Sequence, residues 1–248
     1  VLLKEEARLE KEGTKELVSD ISHQLKTPVA ALDTCFSVLL RENLSEEERK
    51  EFQVRCRCAL DGLEVLLQSL LQISKMEAGL IQINREKLPL METIISAVNR
   101  VYPNAGAKEI EFVFDYDEAL ENVCILQDKK WLGEAFINVF DNAIKYSPAG
   151  SEVYVRIQKR TDFIRIEIED NGVGIPKVEY HKIFQRFFRG SLPEVKEENG
   201  SGIGLFLSRK IIEQHGGTIT VSSNLELKKE LDGKTGSVFI IQLPDNAK

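Results

Sequence analysis

With 248 residues, a formal net charge of -7, 42% hydrophobic and 29% charged residues, the chain has the make-up of a folded globular protein of one or two domains, not of a disordered segment or a fibre. The acidic balance argues against a nucleic-acid surface, which needs a basic stripe, and leaves a protein or small-molecule partner. No apolar run approaches the roughly 18 residues that span a bilayer, and no signal peptide opens the chain.

Cys35, Cys56, Cys58 and Cys124 show no C-x-x-C spacing, which points to a reducing, cytosolic compartment and away from a metal site. The chain opens without Met, inside a charged helical stretch, as expected of a piece of a longer protein.

Residues 1 to about 42 read as one long helix. Val18, Leu25, Leu32 and Leu39 repeat every seven residues at one seam position, and Ile21, Pro28 and Cys35 at the other. Counting Val18 as position a puts His23 at f, farthest from the seam, so its imidazole should face water. Pro28 gives no N–H to the carbonyl of Gln24, so a bend is expected one turn past the histidine.

Asn43-Leu44-Ser45 followed by three glutamates reads as a turn and a capped, acid-biased helix start. The second helix carries Leu63, Leu66, Leu67, Leu70 and Leu71 as a single stripe and stops at Gly79. A two-helix hairpin cannot cover both seams alone, so two copies pairing into a four-helix bundle is the expectation.

From Leu80 onward, period-two stretches appear at I-Q-I-N, I-E-F-V-F-D, V-Y-V-R-I, F-I-R-I-E-I-E-D, G-T-I-T-V-S and S-V-F-I-I-Q-L. Helical segments are expected near 90–102, 128–146 and 202–215, and a hairpin turn at 159–162. Strands with one polar face and helices grouped on the other predict an α+β sandwich, not an all-parallel sheet. The acidic stretch 190–201, with its Pro and Gly, reads as a mobile loop.

Asn138, Asn142, Lys145 and Tyr146 fall on one face of the 131–146 helix, opposite Leu132, Phe136, Val139, Phe140 and Ala143. Two amide oxygens, an ammonium and a ring could serve Mg²⁺, phosphate and purine, or could be an ordinary solvated face. Asp170-Asn171-Gly172-Val173-Gly174 follows a strand, where an acid could accept from an exocyclic amine or could sit in a plain Asp-Asn-Gly turn. Gly200, Gly202 and Gly204 open a helix whose free N–H groups favour phosphate, although no Rossmann unit surrounds them.

These strings, S-H-x-x-K-T-P, N-x-x-x-N-A-x-K-Y, D-x-G-x-G, F-x-R-F-F-R and G-x-G-x-G-L, run in an order that core packing does not demand. In that order the chain resembles the sensor histidine kinases of bacterial two-component systems over essentially its whole length. The resemblance implies a dimerisation and histidine-phosphotransfer hairpin at 1–79, forming a dimeric four-helix bundle, and at 80–248 a catalytic ATP-binding domain of the GHKL (Bergerat-type) α/β sandwich.

It further implies His23 as phosphoacceptor and Asn138 and Asn142 as Mg²⁺ ligands, with Lys145 near the phosphates and Tyr146 by the base. Asp170, beside Gly172 and Gly174, would hold adenine, and Arg189 would reach the γ-phosphate beyond Phe184, Phe187 and Phe188. Residues 190–201 would be the ATP lid, Gly200, Gly202 and Gly204 its closing glycine box, and Gly216-Gly217-Thr218 a last glycine turn. ATP and Mg²⁺ are the implied cofactors. The implied partners are a second copy, the receiver domain of a separate response regulator, and an upstream membrane sensor, with this portion cytoplasmic.

One departure stands out. The family usually has Glu or Asp after the histidine, to orient the imidazole and take its proton, whereas this chain has Gln24, which cannot be a base. Phosphoryl transfer depends mostly on positioning and charge neutralisation, so autophosphorylation is still expected at an altered rate. Asp20, three residues before His23, either compensates or is a solvated acid. Thr27 matches the position from which family members place a water to dephosphorylate their partner, and the Gln24 amide could assist. The rival readings are a non-catalytic ATP-binding dimeric scaffold and an ATP hydrolase on the same nucleotide fold.

Overall fold

A computed structural model of the chain describes residues 2–41, 44–77, 83–198, 200–223 and 236–245. It divides into two compact units, 1–75 and 76–248.

The first unit consists of α1 (Leu2–Leu39) and α2 (Glu46–Glu77). α1 runs unbroken through Pro28, where the Gln24 carbonyl loses its donor. Cys35 is buried and Ile21, Leu25, Pro28, Leu32 and Leu39 are half-buried, which is the heptad seam. α2 starts on a reciprocal cap: Ser45 Oγ accepts the Glu48 N–H at 3.2 Å, and Glu48 Oε2 accepts the Ser45 N–H at 2.9 Å. The Ser45 N–H and the Ser45 hydroxyl, both donating to Glu48 Oε2 at 2.9 Å, hold that carboxyl below its ordinary pKa.

The single leucine stripe expected on α2 divides in two. Leu63, Leu66 and Leu70 turn inward, while Leu67 and Leu71 are 52% and 60% exposed. Residues at i+1 lie about 100° further round a helix, so five leucines in nine positions exceed what one neighbouring helix covers.

The second unit is a two-stranded antiparallel pair, β1 (Glu86–Pro89) with β3 (Cys124–Gln127), and a five-stranded sheet in the order β2-β4-β5-β7-β6. The sheet strands are β2 (Glu111–Tyr116), β4 (Glu152–Lys159), β5 (Phe163–Glu169), β6 (Thr218–Ser223) and β7 (Ser237–Pro244). β2 and β4 are parallel and the other neighbours antiparallel, so the sheet is mixed.

The strand registers align apolar rows across all five strands: Phe114-Val155-Ile168-Phe239-Val221 and Tyr116-Ile157-Ile166-Ile241-Ile219. α3 (Leu90–Ala107), α4 (Lys129–Tyr146) and α6 (Gly204–Gln214) supply the other half of the core, with α4 packed between α3 and α6. Phe136 and Phe140 of α4 are fully buried, each contributing about 2–3 kcal/mol of transfer free energy. On the opposite sheet face Arg156 pairs with Glu167 and Glu169.

Three expectations shift. The I-Q-I-N strand falls partly outside the described residues, and pairing begins at Glu86. α3 continues past 102 through Pro103, because the affected carbonyl, that of Asn99, belongs to an exposed residue while Val101 and Ala105 hold the helix to the core. The 190–201 stretch holds a helical turn, α5 (Pro193–Glu197), with proline at its first position. The hairpin turn at 159–162 is present, closed by the Arg160 N–H on the Phe163 carbonyl at 2.8 Å.

Candidate functional site

α4 begins on Asp128, whose Oδ1 accepts the N–H groups of Lys130 and Trp131, both at 3.1 Å. Asn138, Asn142, Lys145 and Tyr146 are half-buried on the face away from the sheet. At the far end, Nζ of Lys108 donates to the carbonyls of Ile144 at 3.2 Å and Lys145 at 2.7 Å, a cation on the negative end of the helix dipole. Burial pushes the Lys145 pKa down against the upward pull of Glu198 and Asp141, and its ammonium lies 5.4 Å from the centre of the Tyr146 ring.

Asp170 leaves the end of β5 buried, with Oδ1 accepting the N–H of Gly172 at 2.9 Å and of Ser237 at 3.0 Å. Burial pushes its carboxyl up to about 6, against those two N–H bonds. Gly172 packs directly on α4's last turn: a Cβ there would stand 2.7 Å from the Tyr146 carbonyl oxygen, so no larger residue fits. Asp170 is thereby held to the helix carrying the asparagines.

The glycine box closes the other side. Gly202 has φ +68, and a Cβ there would meet Phe187 C and Phe188 O at 2.7 Å. The Cβ position at Gly204 lies 3.1 Å from Asn138 Oδ1, and that at Gly200 lies 3.2 Å from Lys145 Nζ. α6 then starts without a side-chain cap, leaving its first N–H groups for an anion. Gly174 also has positive φ. Nη2 of Arg189 donates to the carbonyls of Val195 at 2.7 Å and Lys196 at 3.2 Å, and to that of Glu198, so its guanidinium caps α5.

Asn138, Asn142, Lys145, Tyr146, Asp170, Gly172 and the glycine box thus converge on one end of α4. Among the described residues no group of three or more His, Cys, Asp or Glu could hold a metal. Asn138 and Asn142 offer two hard amide oxygens, a donor set that suits magnesium when phosphates and water complete its shell. On α1, Gln24 is half-buried and Thr27 exposed, while the side chains of Asp20 and His23 lie outside the described residues.

Three residues that position α4 escaped the sequence. Asp128 had a signal, an Asp before an apolar-periodic helix. Lys108 and His215, whose Nε2 accepts the Asp128 N–H, had none, because each acts on a segment far away in the chain.

A mixed sheet layered with helices, and a buried acid, paired asparagines and a glycine-box helix at one end, define the nucleotide-binding class of the GHKL fold. Residues 127–247 match the family described as histidine kinase-, DNA gyrase B- and HSP90-like ATPase, and residues 14–79 match the His Kinase A phospho-acceptor domain. The chain is 32% identical over 244 residues to the sensor-like histidine kinase SenX3 of Mycobacterium tuberculosis, covering 96% of this chain and 55% of that protein. It is 30% identical to the sensor protein kinase WalK of Staphylococcus aureus, covering 95% of this chain and 55% of the relative. The chain therefore spans about half the length of these curated relatives.

Among solved structures, the mycobacterial sensor histidine kinase MprB superposes with a TM-score of 0.56 at 32% identity, over 64% of this chain and 97% of that one. Histidine kinase ThkA in complex with response regulator protein TrrA shares the fold, with a TM-score of 0.72 at 23% identity over 98% of this chain and 66% of that one. The chain belongs to the sensor histidine kinases and carries their phospho-acceptor and ATP-binding regions.

Proposed function

We propose that this chain is the catalytic portion of a two-component sensor, with a dimerisation and phosphotransfer hairpin at 1–79 and a catalytic ATP-binding domain at 80–248. A nitrogen of His23 attacks the γ-phosphorus of ATP. The new N–P bond forms as the bond to the β-phosphate's bridging oxygen breaks, ADP leaves with that electron pair, and the imidazole proton passes to a base. The phosphoryl group then moves to an aspartate of a separate response regulator, the kind of partner that ThkA carries in its complex.

The observation that carries the reading is the buried Asp170, tied through Gly172 to the turn of α4 that bears Lys145 and Tyr146, in a chain whose other part matches a phospho-acceptor domain around His23. Asp170 accepts from the adenine amine. Lys145 and the open N-terminus of α6 face the phosphates, and Arg189 swings from the α5 carbonyls to the γ-phosphate. Asn138 and Asn142 would hold magnesium, which would supply charge neutralisation for the phosphoryl group.

Dimerisation is supported by apolar side chains left in water on the hairpin. Val29 and Phe36 on α1 and Leu40 just past its end are 52%, 62% and 72% exposed, and Leu60, Leu67 and Leu71 on α2 follow the same seven-and-four spacing. Exposed Thr27, one turn after His23, supports phosphatase activity toward the regulator. No described helix is long and apolar enough to cross a membrane. The longer relatives, named as sensors, support a membrane-anchored parent protein with this portion in the cytoplasm.

Incubation with γ-labelled ATP tests the reading. Label on His23 that is labile to acid and stable to base, and absent from H23A, is the expected result. ATP bound without transferred label would replace it with a scaffold, and phosphate released without phosphoenzyme with a hydrolase. Mixing H23A chains with N142A chains also shows whether transfer runs within or across the dimer.

A further inference from the structure

We propose that Glu179 is a positioning residue for Arg189 and the lid, an inference that rests on the nucleotide-site reading above. Glu179 ends a short 3-10 turn at Lys177–Glu179, closed by its N–H on the Pro176 carbonyl at 2.8 Å. It is a carboxylate only 6% exposed, on a segment whose neighbour Val178 is 79% exposed. A charged group is not buried at such a place without a partner.

Its partner is the root of the lid. Oε1 accepts the N–H of Ser191 at 3.2 Å, and Oε2 stands 3.3 Å from where a Cβ on Gly190 would lie. The carboxylate therefore lies against the chain at 190–191. Residues 189–192 belong to neither helix nor strand, so no backbone ladder fixes them. The side chain of Glu179 supplies the missing fixed point.

That point sits two residues after Arg189. The other end of the lid is pinned nearby, with Gly202 packed on the Phe187–Phe188 peptide. Between the two pins Arg189 caps α5 through the carbonyls of Val195, Lys196 and Glu198. A long guanidinium side chain aims at a phosphate only as well as its backbone is held, and misplacement by about 1 Å costs on the order of a hundredfold in transfer. Glu179 holds that backbone without touching nucleotide.

The consequence is a division of labour. Adenine and the α- and β-phosphates are held by Asp170, α4 and the start of α6, which Glu179 does not touch. Preference for the γ-phosphate depends on Arg189 and therefore on Glu179. E179L keeps the volume and removes the acceptor, whereas the amide oxygen of E179Q can still accept from Ser191.

Binding of ADP and of the β,γ-imido analogue of ATP to the wild type, E179L and E179Q, together with autophosphorylation at saturating ATP, tests the proposal. E179L is expected to bind ADP within about twofold of wild type, to lose about five- to tenfold of its preference for the triphosphate, and to transfer about tenfold more slowly. E179Q restores at least half of both. Equal loss of ADP and analogue binding in E179L, unchanged preference and rate, or an E179Q as impaired as E179L would each overturn it. If wild type forms no phosphohistidine, the kinase reading fails, while the ADP-against-analogue comparison still decides Glu179.

Discussion

Nε2 of His215 accepts the backbone N–H of Asp128 at 3.0 Å, which ties the end of α6 to the start of α4. Nδ1 lies 2.8 Å from the Ile211 carbonyl, so the ring is neutral with its proton on Nδ1, and burial pushes its pKa down accordingly. Asp128 meanwhile caps α4 with one oxygen and accepts the Asn84 N–H at 3.1 Å with the other. Three segments meet at one residue pair, and the helix they fix carries Asn138 and Asn142.

Replacing His215 by Leu removes the acceptor and leaves the Asp128 N–H partly buried without it. The expected cost is about 1–3 kcal/mol, the usual penalty for an orphaned donor, read as a lower melting temperature of the 80–248 fragment. Unchanged melting would mean that the bond contributes nothing net.

Asp170 gives a pH signature with a definite sign. Its carboxyl rises from an ordinary 3.8 to about 6 in the fold, so the folded state binds its proton more tightly than the unfolded chain does. Its contribution to stability is therefore fully present below pH 3.8, falls as pH rises through about 6, and is flat above. Against D170N, which does not titrate, wild type should lose roughly 3 kcal/mol of relative stability across that window. If Asp170 holds adenine as proposed, nucleotide affinity should run the other way, because an exocyclic amine bonds best to the ionised acceptor. Wild type should bind ATP more weakly below pH 6, and D170N should bind weakly at every pH, by about tenfold or more. Titration calorimetry between pH 5 and 8 checks both, and a pH-independent wild-type affinity would refute the role.

Gly202→Ala should harm the lid more than an added methyl suggests. The residue has φ +68, and its new Cβ would stand 2.7 Å from both Phe187 C and Phe188 O, backbone atoms that cannot rotate away. The strain alone is worth about 1–3 kcal/mol. The lid would shift off the 187–188 peptide, and ATP affinity should fall about tenfold while the 1–79 hairpin melts unchanged.

The elements that could be read from the chain were those whose signal is local. β4 and β5 alternate because one face of each is buried, and α4 shows its two faces because one packs on that sheet while the other carries polar side chains. The glycine positions were legible since only glycine tolerates the approach of Tyr146 O to Gly172 or of the 187–188 peptide to Gly202. β3 was not, being four residues paired with the equally short β1 far upstream. α5 was hidden because its stabilising donor, Arg189, precedes it and bonds backbone carbonyls, which no side-chain pattern reports. Lys108 and Glu179 look like ordinary surface charges until the fold brings α4's last carbonyls and the Ser191 N–H to them.

On the proposed mechanism, Gln24 makes proton removal from His23 the unusual step. The side chain is half-buried on α1, and an amide can orient an imidazole or a water but cannot take a proton. Asp20, one turn earlier on the same helix, is a carboxylate of the right spacing. If it serves as base, D20N should slow autophosphorylation about tenfold, a modest loss because positioning dominates phosphoryl transfer. Q24E should raise the rate and, by removing the amide, lower phosphatase output. The decisive variant is the double one: with Glu at 24, loss of Asp20 should matter little, so the two changes are non-additive by about 1 kcal/mol or more. Additive effects, or D20N at the wild-type rate, would leave Asp20 a solvated acid and place the proton's acceptor in solvent.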